Sequence, residues 1–146
     1  MQLQFPPYKF NTKSEQNTNY VFDIVRKKYV VLTPEEWVRQ HVLHYLVENK
    51  NYPASLLAVE RGLVVNGRRK RFDALTFMPS GKPYLLVECK SPDIAITQTV
   101  FEQIAIYNSV FKAPYLWVTN GLQHVYIGYT ADFKQYTFLT ECPDYL

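Results

Sequence analysis

The chain has 146 residues, 47% hydrophobic and 20% charged, with a net charge of +3. These values exclude an intrinsically disordered chain and fit one globular domain large enough to bury a core. Two cysteines exclude a disulfide framework or a cysteine-based zinc cluster, no apolar run of about 18 residues exists to span a bilayer, and the weakly basic balance permits a nucleic-acid partner without demanding one.

Residues 1–19 are polar, carry Pro6-Pro7, and read as an arm laid on the surface; a single domain is expected over 20–146. The start lacks the basic and apolar blocks of a secretory leader, so a cytoplasmic protein without a membrane partner is expected. Tyr20 to Leu32 is β-rich, interrupted by Arg26-Lys27-Lys28, and reads as a strand or hairpin. Thr33-Pro34-Glu35-Glu36 starts a helix: Thr33 caps, Pro34 takes the first helical position, and Glu36 completes a capping box. Trp37, Val38, His41, Val42, Tyr45 and Leu46 follow at helical spacing, and the helix stops between Asn49 and Tyr52, before Pro53. His41 and His44 could hold zinc in principle, but no third ligand lies near in sequence, and His41 on the apolar face reads as core.

Leu56 to Val65 is a strand ending at Asn66-Gly67, a hairpin turn signal. Arg71 to Phe77 and Tyr84 to Lys90 are strands flanking a turn centred on Ser80-Gly81. Thr97 to Phe111 reads as a helix with Val100, Ile104, Tyr107 and Phe111 on one face, ended by Pro114. Tyr115 to Val118 is a buried strand, Thr119-Asn120-Gly121 a turn, and His124 to Tyr129 another strand; Phe133 to Leu146 is a further strand or a short helix. The order α-β-β-β-α-β-β is an α/β fold with a mixed central sheet flanked by helices. The 12 tyrosines and 9 phenylalanines suit a packed core together with some interaction surface.

The middle strands carry the chemistry. Counting outward from Ser80-Gly81 sets Asp73 opposite Glu88, and alternation points Glu88 and Lys90 to one face. Opposed Cβ atoms lie about 5 Å apart, and acids that close repel each other unless a cation sits between them. Mg²⁺, or Mn²⁺ in its place, takes one or two carboxylates and fills its shell with water and phosphate oxygens. It acidifies a bound water and neutralises phosphate charge, while Lys90 orients or deprotonates that water. The alternative is a structural salt bridge or solvated strand charges. Against it, Leu85-Leu86-Val87 and Cys89 mark a strand covered on both faces, where a charge pair is costly unless partnered. Cys89 points away from Glu88 and reads as core. Counting outward from Asn66-Gly67 sets Glu60 opposite Asp73, either as an outer metal ligand or as an acid paired with Arg69 or Arg71. Arg68-Arg69-Lys70-Arg71 is either a clamp on DNA phosphates or a solvated turn.

Asp73 followed by Glu88-Cys89-Lys90 resembles the signature of the PD-(D/E)xK nuclease superfamily, although Phe72 stands where a proline often precedes the first acid. Val21-Phe22-Asp23, Leu32 to His41, Asn51-Tyr52-Pro53, Val59-Glu60 and Trp117 to Gly121 are similar to the amino-terminal nuclease region of type I restriction enzyme R proteins in their small stand-alone form. That similarity runs from about Tyr20 to about Tyr126. The resemblance implies a restriction-endonuclease-like core (αβββαβ) and a Mg²⁺-dependent DNA endonuclease, with DNA and other restriction-modification or DNA-processing subunits as partners. It places Asp73, Glu88, Lys90 and Gln103 in the catalytic set. It also implies that Glu36 lies near the metal, where capping explains the residue as fully. Gln103 and Tyr107, four apart on one helix, match a Q-x-x-x-Y element that contacts DNA or supports the lysine; the alternative is an ordinary exposed helix face. No G-x-x-x-x-G-K-[ST] phosphate loop occurs, so motor activity is not implied. Two rival readings keep the fold without catalysis: a DNA-binding or assembly module, and a regulatory protein using a tyrosine-rich surface. The oligomeric state is left open by the sequence.

Overall fold

The computed structural model describes residues 2–146; residue 1 of the expected arm lies outside them. β1 (Thr12–Glu15), β2 (Thr18–Asp23) and β3 (Lys28–Val31) form a small antiparallel sheet. β4 (Leu57–Val65), β5 (Arg68–Phe77), β6 (Pro83–Cys89), β7 (Tyr115–Thr119), β8 (His124–Tyr129) and β9 (Tyr136–Leu139) form a six-stranded mixed sheet in sequential order. β6 and β7 run parallel, which requires a crossover, and α2 (Gln98–Asn108) supplies it. α1 (Pro34–His44) packs Val38, Val42 and Leu43 on one face of this sheet, against Val59, Ala74, Val87, Cys89 and Trp117. α2 packs Phe101 and Ala105 on the other, against Leu75, Leu86, Leu116 and Val118. β6 is therefore covered on both sides, as its apolar run requires: Tyr84 through Val87 and Cys89 are all buried.

Local chemistry explains most boundaries. The Thr33 Oγ1 accepts the Glu36 N–H at 3.1 Å and Pro34 opens α1. After His44 the helix widens into one π turn, Tyr45–Asn49, rather than continuing as α-helix. Thr97 caps α2 through the Val100 N–H, and a 3₁₀ turn, Ser109–Phe111, completes the helical stretch expected up to Phe111. The tail resolves as a strand, β9, on the sheet edge.

Two expectations need correction. Residues 12–19 were expected within the arm, yet they form β1 and the start of β2. Gln16 and Asn17 adopt φ of 50° and 64°, the left-handed pair of a two-residue hairpin loop, without the glycine that usually signals it. The β5–β6 connection is also not a simple loop about Ser80-Gly81. Met78 N–H donates to Lys82 O, Phe77 faces Pro83, and a bulge between Thr76 and Phe77 absorbs the extra residue. Beyond the bulge the expected register stands, with Ala74 against Val87.

Residues 2–10 lie against α1 and β7–β8. Phe5 packs among His41, Tyr45, Trp117 and His124. Gln4 N–H donates to Gly121 O at 2.7 Å. Gly121 sits at φ +88°, and a Cβ there would meet Leu3 Cδ2 at 2.9 Å, so both backbone and packing demand glycine. Among the described residues no helix is long and apolar enough to cross a membrane.

Candidate active site

β5 lies between β4 and β6, in registers that set Glu60 and Glu88 on either side of Asp73. The β4–β5 ladder skips this level: Val59 pairs with Ala74 and Arg61 with Phe72, and Glu60 between them adopts φ +47°. Such a conformation costs a non-glycine residue on the order of 1 kcal/mol and must be held by its surroundings. Alternation slips by one residue here. Before the break Val59 and Ala74 face α1; after it Leu63, Val65 and Phe72 face the α2 side. The slip keeps the apolar side of the outer hairpin on Phe111, whose ring centroid is 5.7 Å from that of Phe72.

On the other side, the β5–β6 ladder ends at Ala74–Val87, and the Asp73 side chain extends the contact to β6. Oδ2 accepts the Cys89 N–H at 2.7 Å, and Oδ1 accepts from Arg39 Nη2 at 3.2 Å. Glu88 and Lys90 share a face, with Nζ 3.4 Å from Oε1. Burial, and next the Asp73 charge, push the Glu88 carboxyl up to about 7, although Lys90 pulls it down. Burial and Asp73 raise Glu35 as well. Glu60, Arg71, Phe72, Asp73, Glu88 and Tyr107 line a hollow of about 220 Å³.

Two arginines that sequence reasoning passed over organise the other acids. Arg39 is 2% exposed. Its Nη1 donates to Glu36 at 2.8 Å; its Nη2 meets Glu35 at 2.9 Å, Asp73 at 3.2 Å and Glu60 at 3.3 Å. Arg26 spans Asp23 at 2.7 Å, Glu36 at 3.1 Å and Glu60 at 3.2 Å. Gln40 Nε2 adds bonds to Asp23 and Glu36. The Glu36 carboxylate therefore turns inward rather than closing a capping box, because charged donors hold it more strongly than one backbone N–H. A signal was available: Arg39 follows Glu35 and Glu36 at i+4 and i+3 in a segment already read as a helix.

The sequence-derived candidates thus separate. Asp73 and Glu88 share a hollow that Arg71 and Tyr107 also line, and Lys90 pairs with Glu88 beside it. Arg71 Nη2 donates to Glu60 O at 3.2 Å, and Lys70 Nζ lies 5.1 Å from the Tyr107 ring centroid. Arg68 and Arg69 project along the exposed hairpin, and Gln103 sits exposed on α2, one turn before Tyr107. Glu36 and Glu60 face arginines. Among the described residues no group of three or more His, Cys, Asp or Glu gathers in metal-holding geometry. Asp73 and Glu88 are the oxygen donors that would hold a divalent ion such as Mg²⁺ or Mn²⁺, for which two carboxylates suffice, with Asp73 Oδ1 giving up its Arg39 contact.

The raised Glu88 carboxyl carries a pH prediction. In the folded protein Glu88 holds its proton more firmly than at its ordinary 4.5, so metal-free stability falls as pH rises from about 4.5 through about 7. Glu88→Gln removes that loss. In chelator the variant and the parent should melt together near pH 5, and the variant should melt higher near pH 8. Equal melting at both pH values contradicts this assignment.

The family model of the type I restriction enzyme R protein N terminus (HSDR_N) matches residues 34–143. A solved fragment, described as from an HsdR subunit of a type I restriction enzyme of Vibrio vulnificus YJ016, superposes with a TM-score of 0.53 at 18% identity, over 77% of this chain and 24% of that one. At that identity the likeness speaks for the fold, which is restriction-endonuclease-like. No curated protein matches the chain.

Proposed function

The chain belongs to the type I restriction enzyme R protein N terminus family, and on that premise we propose that it is a metal-dependent deoxyribonuclease of the PD-(D/E)xK kind, hydrolysing DNA phosphodiester bonds at Asp73, Glu88 and Lys90. One observation carries the reading: Asp73 and Glu88 stand side by side on β5 and β6, with Lys90 Nζ beside Glu88 and a carboxyl charge that Lys90 only partly offsets. Asp73 and Glu88 would hold Mg²⁺ or Mn²⁺, with Glu60 and Glu36 as outer acids that fix the arginines around them. The bound ion supplies acidity to a water and neutralises charge on the phosphate. Lys90 orients the attacking water and steadies the negative charge that develops. Arg71 and Tyr107 meet the strand at the wall of the hollow, Arg68, Arg69 and Lys70 add phosphate contacts along the hairpin, and Gln103 extends the α2 side. The chain covers about a quarter of the solved relative. Its action on DNA in the cytoplasm and its association with other restriction-modification subunits are part of the same proposal.

A second reading, a DNA-binding or assembly module without catalysis, is favoured by one contact: Arg39 Nη2 already holds Asp73 Oδ1. Calorimetric titration with Mn²⁺ separates the two. The nuclease reading expects a binding isotherm in the parent and a loss of at least about tenfold in affinity in Asp73→Ala. Absent binding, or binding that Asp73→Ala leaves intact, favours the module.

A further inference from the structure

A second hollow, about 360 Å³, opens between the β2–β3 turn and the β4 edge, lined by Arg26, Lys28, Val59, Glu60 and Arg61. It shares Glu60 with the hollow that contains Asp73 and Glu88. We propose that this groove binds the phosphodiester backbone of duplex DNA beside the cleaved bond, with Lys28 and Arg61 as its phosphate contacts. The inference rests on the nuclease reading for what lies across Glu60.

Its charge and shape favour that ligand. Arg26 is committed inward to Asp23, Glu36 and Glu60. Lys28 and Arg61 are exposed and carry no ion pair among the described residues. The Glu60 carboxylate stands on the wall, but one oxygen meets Arg26 and the other Arg39, so its charge is offset locally. Val59, the one apolar residue in the lining, is 3% exposed, so the wall is polar and suits a phosphate chain better than an apolar segment. β4 is an edge strand of the six-stranded sheet, so a long polymer can pass along it. Arg61 follows Glu60 by one residue, about 3.4 Å of strand, and Glu60 lies at the level of Asp73. The groove therefore adjoins the hollow that holds Asp73 and Glu88, with Glu60 in the wall of both. The two hollows share Glu60: Lys28 and Arg61 line one, Arg71 and Tyr107 the other, and Lys28 comes from the start of β3, far in sequence from the basic run.

The test is fluorescence anisotropy of a labelled duplex oligonucleotide with the full chain in chelator, over a range of salt. Lys28→Glu with Arg61→Glu should weaken binding by at least about tenfold and reduce the salt slope by about 2, since each lost phosphate contact removes about 0.9. Lys28→Gln with Arg61→Gln, which adds no repulsion, should reduce the slope equally. Lys134→Glu, in the β8–β9 loop at the opposite sheet edge, should leave affinity within about twofold. Three results overturn the proposal: no duplex binding by the parent, binding unchanged in the Lys28 and Arg61 double variants, or equal weakening by Lys134→Glu. Competition by polyglutamate as strong as that by unlabelled duplex also overturns it, in favour of an acidic peptide. Because affinity is read without metal, a protein that binds through this groove and never cuts defeats the nuclease reading while leaving the groove standing.

Discussion

Lys90→Ala should lower metal-dependent DNA cleavage by about 10²–10⁴-fold while leaving the fold intact, the magnitude expected when a positioned acid–base or charge-stabilising group is removed. Lys90 lies one residue past β6 beside Glu88, and its backbone N–H donates to Thr119 O of β7 at 2.8 Å, so the backbone holds the residue independently of its ammonium group. At 32% exposure the tip reaches the surface, and its removal opens no core cavity. Lys90→Arg keeps the charge but moves it onto a planar fork, and should recover only part of the rate. Plasmid nicking rates, with melting temperatures on the same preparations, check this. Cleavage by Lys90→Ala at the parental rate removes Lys90 from the mechanism.

The largest loss of stability is expected at Arg39. Replacing it with methionine keeps much of the apolar stem but strips the shared cation from Glu35, Glu36, Glu60 and Asp73. Breaking one side of a buried ion network costs about 3–5 kcal/mol, because the remaining charges stay desolvated. Lysine should not rescue it, since one ammonium cannot reproduce a fork that meets Glu36 through Nη1 and three further acids through Nη2. Glu60→Gln, at the exposed rim, should cost less than about 1 kcal/mol. Denaturant unfolding measures both. An Arg39→Met loss below about 1 kcal/mol contradicts the account of Arg39 as the cation that holds these acids in place.

The sequence displayed the scaffold through signals that act locally. Thr33-Pro34 set the start of α1, Asn66-Gly67 fixed the β4–β5 register, and the apolar run through Leu85 and Val87 marked a strand covered on both faces. Counting across turns placed Asp73 between Glu60 and Glu88, and that ordering is the one the structure shows. Counting failed where it assumed an unbroken pleat. It missed the reversal at Glu60, because a positive φ in a glutamate has no sequence marker and depends on how the outer hairpin packs on Phe111. It missed the roles of Arg26 and Arg39 for a different reason: the Arg39–Asp73 contact joins residues 34 apart, brought together only when α1 docks on the sheet. The inward turn of Glu36 follows from that docking. A capping box and an ion network use the same residue, and the nearby guanidinium groups decide between them.

The central claim is that Asp73, Glu88 and Lys90 form a metal-dependent phosphodiester hydrolase. Its most direct test is incubation of supercoiled plasmid with the purified protein in Mg²⁺, in Mn²⁺ and in chelator. The account predicts conversion to nicked or linear DNA with either ion, no conversion in chelator, and none with Asp73→Ala. Plasmid left intact under all three conditions, or cut equally well in chelator, contradicts it.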